Sequence, residues 1–137
     1  MTPNLIVISG SSGAGKSSVL RLLEDEGYYC VDNLPPRLLP ELLGEISNNT
    51  EYERFRGIVV CVDARTVGFE PEDAPSALEQ LLSNPDGMTI FLDAQPHVLL
   101  KRFSETRRRH PLAGPRNSLP EAIAKEKKRL EFIAAKA

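Results

Sequence analysis

The run GSSGAGKS, Gly10 to Ser17, lies between an apolar stretch, NLIVIS (Asn4 to Ser9), and a segment with a helical apolar stripe, Val19, Leu20, Leu22 and Leu23. It matches GxxxxGK[ST] in full, after a predicted strand and at the opening of a predicted helix. Glycine permits backbone angles that turn successive N–H groups inward. The following helix adds its unpaired amides and the positive end of its dipole. An ordinary serine- and glycine-rich turn needs neither the lysine nor so many glycines. Gly10, Ser11, Ser12, Gly13, Ala14, Gly15, Lys16 and Ser17 therefore read as a cradle for the phosphates of a nucleoside triphosphate. Lys16 is placed to neutralise the β and γ phosphates, and the Ser17 hydroxyl to ligate magnesium.

Further along, strands alternate with helices. Tyr28 to Val31, Gly57 to Val62 and Met88 to Leu92 are short continuous apolar runs, as expected of strands buried on both faces. Helices are predicted from Lys16 to Glu26, stopped by Gly27, from Leu38 to Ile46, around Ser76 to Leu82, from Pro96 to Arg109, and from Ser118, where Ser118 and Glu121 have capping-box spacing. The pattern predicts an α/β fold, a parallel sheet between two helical layers. With 137 residues, one domain spanning 1–137 is expected. A net charge of −2 argues against a dedicated nucleic-acid binder. There is no apolar run of membrane-spanning length and no signal-like N-terminus, so no membrane partner is expected. Cys30 and Cys61 lie inside apolar runs, as buried reduced thiols do, and the expected location is cytoplasmic.

Three strands close alike, as CVDN, CVDA and FLDA, and so place Asp32, Asp63 and Asp93 at the carboxyl edge of the sheet, where ligands of open parallel sheets bind. Aspartate is also a good turn former, which accounts for any one of them singly. Asp63 is favoured over Asp93 as the second magnesium anchor, because kinase-like sheets often place the third strand beside the first. Asp32 has two readings: a general base for an acceptor hydroxyl, or part of a turn in which Asn33 caps the second helix. There is no convincing NKxD, which argues against a Ras-type GTPase and leaves ATP or GTP open.

Lys101, Arg102, Arg107, Arg108, Arg109 and His110 form a local positive cluster. Residues 96–120 are a candidate lid, and Arg102 and Arg109, two turns apart, are its candidate phosphate contacts, joining Lys16 and Asp63 as candidate catalytic residues. A solvated basic face and an RNA contact are the competing readings.

With these residues in place, the chain resembles the RapZ/YvcJ family of bacterial P-loop nucleotide-binding proteins. The resemblance is carried by SGSSGAGKSSVLRLLEDEGYYCVDNLPPRLLP (Ser9 to Pro40), VDAR (Val62 to Arg65) and FLDAQPHVLLKRFSETRRRHPL (Phe91 to Leu112). It implies that Gly10 to Ser17 is the family's ATP-binding loop and that Asp63, Ala64, Arg65 and Thr66 form its guanine-nucleotide segment, with Thr66 a departure from the family's asparagine. It also implies weak ATP and GTP hydrolysis and, in some members, delivery of a regulatory RNA to a ribonuclease. Family members continue with a further strand and a C-terminal domain that carries the RNA function. The sheet is accordingly expected without its last strand, and no RNA partner is assigned to these residues.

The leading expectation is a regulatory module that binds ATP or GTP with Mg²⁺ and hydrolyses it slowly. A small-molecule kinase using Asp32, and a nucleotide-gated interaction domain without turnover, are the alternatives. No expectation is formed for the oligomeric state.

Overall fold

The computed structural model describes residues 4–63, 82, 87–106, 110–115 and 117–137. Four parallel strands form one sheet: β1 (Asn4–Gly10), β2 (Tyr29–Val31), β3 (Gly57–Cys61) and β4 (Gly87–Leu92), in the order β2-β3-β1-β4. As expected, the third strand lies beside the first, Ile6 opposite Val59 and Ile8 opposite Cys61. On its other side β1 pairs with β4, so that Gly10 stands opposite Leu92.

Alternate residues of the strands feed two separate cores. Leu5, Val7, Ile58, Val60 and Val62 pack with Leu39 and Ile46 of α2 (Leu39–Asn48) and with Leu130 and Ile133. Ile8, Val59 and Cys61 pack on the opposite face with Leu20 of α1 (Lys16–Asp25). Because both faces are covered, the strands need not alternate with polar residues, and GIVVC is buried at every position. This is the three-layer arrangement that the apolar runs imply.

Two helix ends follow the sequence signals closely. Gly27, at φ +97, donates to the Glu24 carbonyl while Tyr28 donates to that of Leu23, a Schellman pair that ends α1. Ser118 accepts the Glu121 N–H at the start of α4 (Leu119–Arg129). A short helix α5 (Glu131–Ala134) follows at once.

Elsewhere the elements depart from expectation. The helix expected from Leu38 to Ile46 begins with a 3-10 turn at Pro36–Leu38 and continues to Asn48. Leu38 is its N-cap and no side chain caps it, so Asn33, in the left-handed region at φ 58, does not have the capping role weighed for it. Of the helix expected from Pro96 to Arg109, α3 is described over Pro96–Thr106. Residues 107–109, and all but Leu82 of the helix expected at 76–82, lie outside the described residues. Among the described residues no helix is long and apolar enough to cross a membrane.

Candidate functional site

The loop between β1 and α1 is built on three glycines with positive φ: Gly10 at 150°, Gly13 at 87° and Gly15 at 103°. A Cβ on Gly10 would meet the Leu92 carbonyl oxygen at 2.1 Å, so the β1–β4 pairing itself demands glycine there. Three amides of the loop are used internally: Ser11 N–H bonds the Leu92 carbonyl, Ala14 N–H the Ser11 carbonyl, and Ser12 N–H the Glu126 carboxylate. Among the described residues, the amides of Gly13, Gly15, Lys16 and Ser17 take no hydrogen-bond partner. They are the amides at the entrance of α1, where the helix dipole is positive.

Lys16 is buried and folds back over the loop. Its Nζ donates to the carbonyls of Gly10 (2.9 Å) and Ser11 (3.0 Å) and lies 3.9 Å from the Asp63 carboxylate. Asp63, 1% exposed, stands within 4.8 Å of Asp32 and Cys61 at the ends of β2 and β3. Burial first, then the neighbouring Asp63 and Asp32 carboxylates, push the Cys61 thiol up to about 12, with Lys16 offsetting part of this. The cluster therefore presents carboxylate oxygens and a neutral thiol. Ser17 is exposed at the mouth of the loop.

The third aspartate does something else. Asp93 accepts from Ser11 Oγ (3.0 Å), from Lys127 Nζ (2.9 Å) and from the Ala94 N–H (2.8 Å). Partial burial raises its pKa, but the Lys127, Ala94 and Ser11 hydrogen bonds outweigh that and hold the carboxyl below its ordinary value. Of the two candidate anchors, Asp63 is thus the one beside Lys16, while Asp93 braces the loop from below.

Helix α3 packs against the loop. Arg102 Nη1 donates to the Gly13 carbonyl at 2.7 Å, and Phe103 and Leu99 lie against Gly13. Arg109, with Arg107 and Arg108, lies outside the described residues, as do Ala64, Arg65 and Thr66. His110 needs a correction: it is not part of an open positive cluster. It is 2% exposed, its Nδ1 accepts the Leu112 N–H at 3.0 Å, and its Nε2 therefore carries the proton that meets Glu126 Oε1 at 3.2 Å.

Glu126 went unremarked in the sequence. A signal existed: it shares one helix face with Ala122, Ile123 and Leu130, so a charged residue stands within an apolar stripe. Nothing local in the sequence names Ser12, 114 residues away, as one of its partners.

The family model for the RapZ-like N-terminal domain matches residues 3–137. The chain belongs to this family. Similar proteins include a "nucleotide-binding protein" of Saccharophagus degradans, 46% identical over 134 residues, covering 97% of this chain and 46% of that protein. Another, of Pseudomonas fluorescens, is 48% identical over 127 residues, covering 92% of this chain and 44% of that one. The chain thus spans about half the length of the family relatives it matches. Among solved structures, shikimate kinase from Acinetobacter baumannii superposes with a TM-score of 0.57 at 17% identity, covering 98% of this chain and 79% of that one. Shikimate kinase from Bacteroides thetaiotaomicron gives 0.51 at 21% identity, over 96% and 80%. At such identities the likeness is one of fold, the kinase-like P-loop architecture.

Proposed function

We propose that this RapZ-like domain binds ATP or GTP with magnesium at Gly10–Ser17 and hydrolyses it slowly, as a regulatory module. The observation that carries the reading is the set of amides on Gly13, Gly15, Lys16 and Ser17, left open at a helix entrance beside a lysine. The name "nucleotide-binding protein" borne by its relatives supports it.

In this reading Lys16 exchanges the Gly10 and Ser11 carbonyls for phosphate oxygens, a short swing for a flexible side chain. The residues that would hold magnesium are Ser17 and Asp63, with Asp32 near enough to join through water. Hydroxyl and carboxylate oxygens are the hard donors that magnesium prefers, and the protonated Cys61 does not compete. A magnesium ion held there would supply neutralisation of the triphosphate's negative charge. Water attacks the γ phosphorus, the bond to the β–γ bridging oxygen breaks, and the diphosphate leaves with that oxygen. Lys16 stabilises the charge that develops there, and Arg102 is the described arginine within reach of the loop.

One observation favours a second reading. Asp32 is exposed at the end of β2, within 4.8 Å of Asp63, where a carboxylate can take the proton of an acceptor hydroxyl. That reading is a small-molecule kinase.

A thermal-shift series with ATP, GTP and their diphosphates, with and without magnesium, tests the proposal. A ligand at about a hundred times its Kd should stabilise the fold by ~2.7 kcal/mol. Lys16→Ala should abolish the shift. An unshifted wild-type melt with every nucleotide rejects the reading, whereas diphosphate formation only upon adding a hydroxyl-bearing metabolite selects the kinase.

A further inference from the structure

Helix α4 carries a glutamate in a row that otherwise buries Ala122, Ile123 and Leu130. Glu126 is 0% exposed, and a buried carboxylate is costly unless its oxygens are bonded. Here both are. Oε1 accepts the Ser12 N–H at 2.6 Å and the His110 Nε2–H at 3.2 Å, and Oε2 accepts the Ser12 hydroxyl at 2.5 Å. His110 is fixed in turn by the Leu112 N–H on its Nδ1 and by the Phe103 ring, 5.2 Å away between centroids.

An apolar side chain here would leave the Ser12 N–H, the Ser12 hydroxyl and the His110 Nε2–H without their acceptor. What the carboxylate adds is direction. It takes the N–H and O–H of one residue, Ser12, and so fixes the peptide that leads into Gly13, the first of the open amides. The next turn contains glycines at φ +87 and +103, which unrestrained would sample many other conformations. Order imposed on such a loop before binding is order the ligand need not impose. The hydroxyl at position 12 has no other bond among the described residues.

From this geometry we infer that Glu126 is a positioning residue for phosphate binding: its carboxylate holds the Ser12 turn so that the amides of Gly13 to Ser17 face an incoming phosphate. The inference rests on the nucleotide-binding reading of the loop. Glu126 acts through Ser12 and takes no part in bond making.

Calorimetric titration of the whole chain with Mg·ATP and Mg·GTP, well below the melting temperature, tests it. The proteins are wild type, Lys16→Ala, Glu126→Gln, Ser12→Ala and the Glu126→Gln/Ser12→Ala double variant, with hydrogen exchange over residues 11–17 measured alongside. Glu126→Gln should weaken binding by about tenfold, the scale of a charged hydrogen bond lost. Ser12→Ala, which keeps the N–H, should weaken it less. The double variant should bind about as well as Glu126→Gln alone, because both changes break one contact. Exchange at residues 11–17 should quicken in both single variants. A Glu126→Gln protein that melts lower yet binds within about twofold of wild type overturns the inference; so does tighter binding, which would make the carboxylate a competing anion. If Glu126→Gln does not fold, Ser12→Ala decides, and wild-type affinity with wild-type exchange there overturns it. Absence of heat with the wild type rejects the nucleotide reading and this inference with it, whereas wild-type binding lost in Lys16→Ala upholds that reading whatever Glu126 does.

Discussion

Arg102 and Gly13 are joined by a hydrogen bond of 2.7 Å, guanidinium to carbonyl, so the helix that follows the last described strand is tied to the loop of the first. The contact puts an arginine at the rim of the open amides, with Phe103 and Leu99 beneath it against the same glycine.

Replacing Arg102 by alanine separates two roles of that contact. If the guanidinium moves onto phosphate during hydrolysis, Arg102→Ala should lower the steady-state rate by at least about tenfold, with nucleotide affinity changed by less than about threefold. Phosphate release and calorimetry on the same protein check this. Unchanged turnover per bound nucleotide would leave Arg102 as a brace for the loop alone.

Two glycines should respond in opposite ways to the same substitution. Gly10→Ala puts a Cβ at 2.1 Å from the Leu92 carbonyl, which neither β1 nor β4 can yield without losing its pairing. It should cost about 3 kcal/mol or more. Gly44 lies inside α2 with nothing within 4 Å of the added carbon. Gly44→Ala should therefore stabilise by ~0.5–1 kcal/mol, by restricting the unfolded chain. Urea unfolding of the two variants reads both signs.

Asp93 predicts an acid-side effect. Its carboxyl is held below the ordinary value of 3.8 by Lys127, the Ala94 N–H and Ser11, against partial burial. A depressed folded-state pKa gives stability that is present above the unfolded value and is lost as pH falls through the folded one. Asp93→Asn should thus be less stable than wild type at neutral pH, by about 1 kcal/mol or less since the side chain is half exposed. The gap should close below pH 3.8. Melting curves from neutral to acid pH test this, and a gap that stays constant into acid would refute it.

Much of the frame was legible before any coordinates. The apolar runs of β1 and β3 placed a buried parallel sheet, Gly27 and Ser118 marked helix ends, and GSSGAGKS placed the loop. Each of these signals is local: hydrophobic period, a left-handed glycine, a capping hydroxyl. Of Asp32, Asp63 and Asp93, all expected at the carboxyl edge of the sheet, strand order brings two into one cluster. Asp63 and Asp32 close strands that neighbour each other, whereas Asp93 closes β4 and meets Lys127. His110 read as one more cation because its sequence neighbours are arginines; its burial depends on α3 and α4 meeting around it.

By itself, then, the sequence determined that this chain would carry a phosphate-type loop on a two-sided parallel sheet, since backbone sterics and hydrophobic periodicity act over a few residues. Only the tertiary structure decided what holds that loop: Glu126 on Ser12, Asp93 on Ser11, Arg102 on Gly13. Those partners lie 82 to 114 residues apart along the chain. A hydrogen bond between them leaves no period or spacing to read, because it exists only once folding has brought distant donors and acceptors within 3 Å.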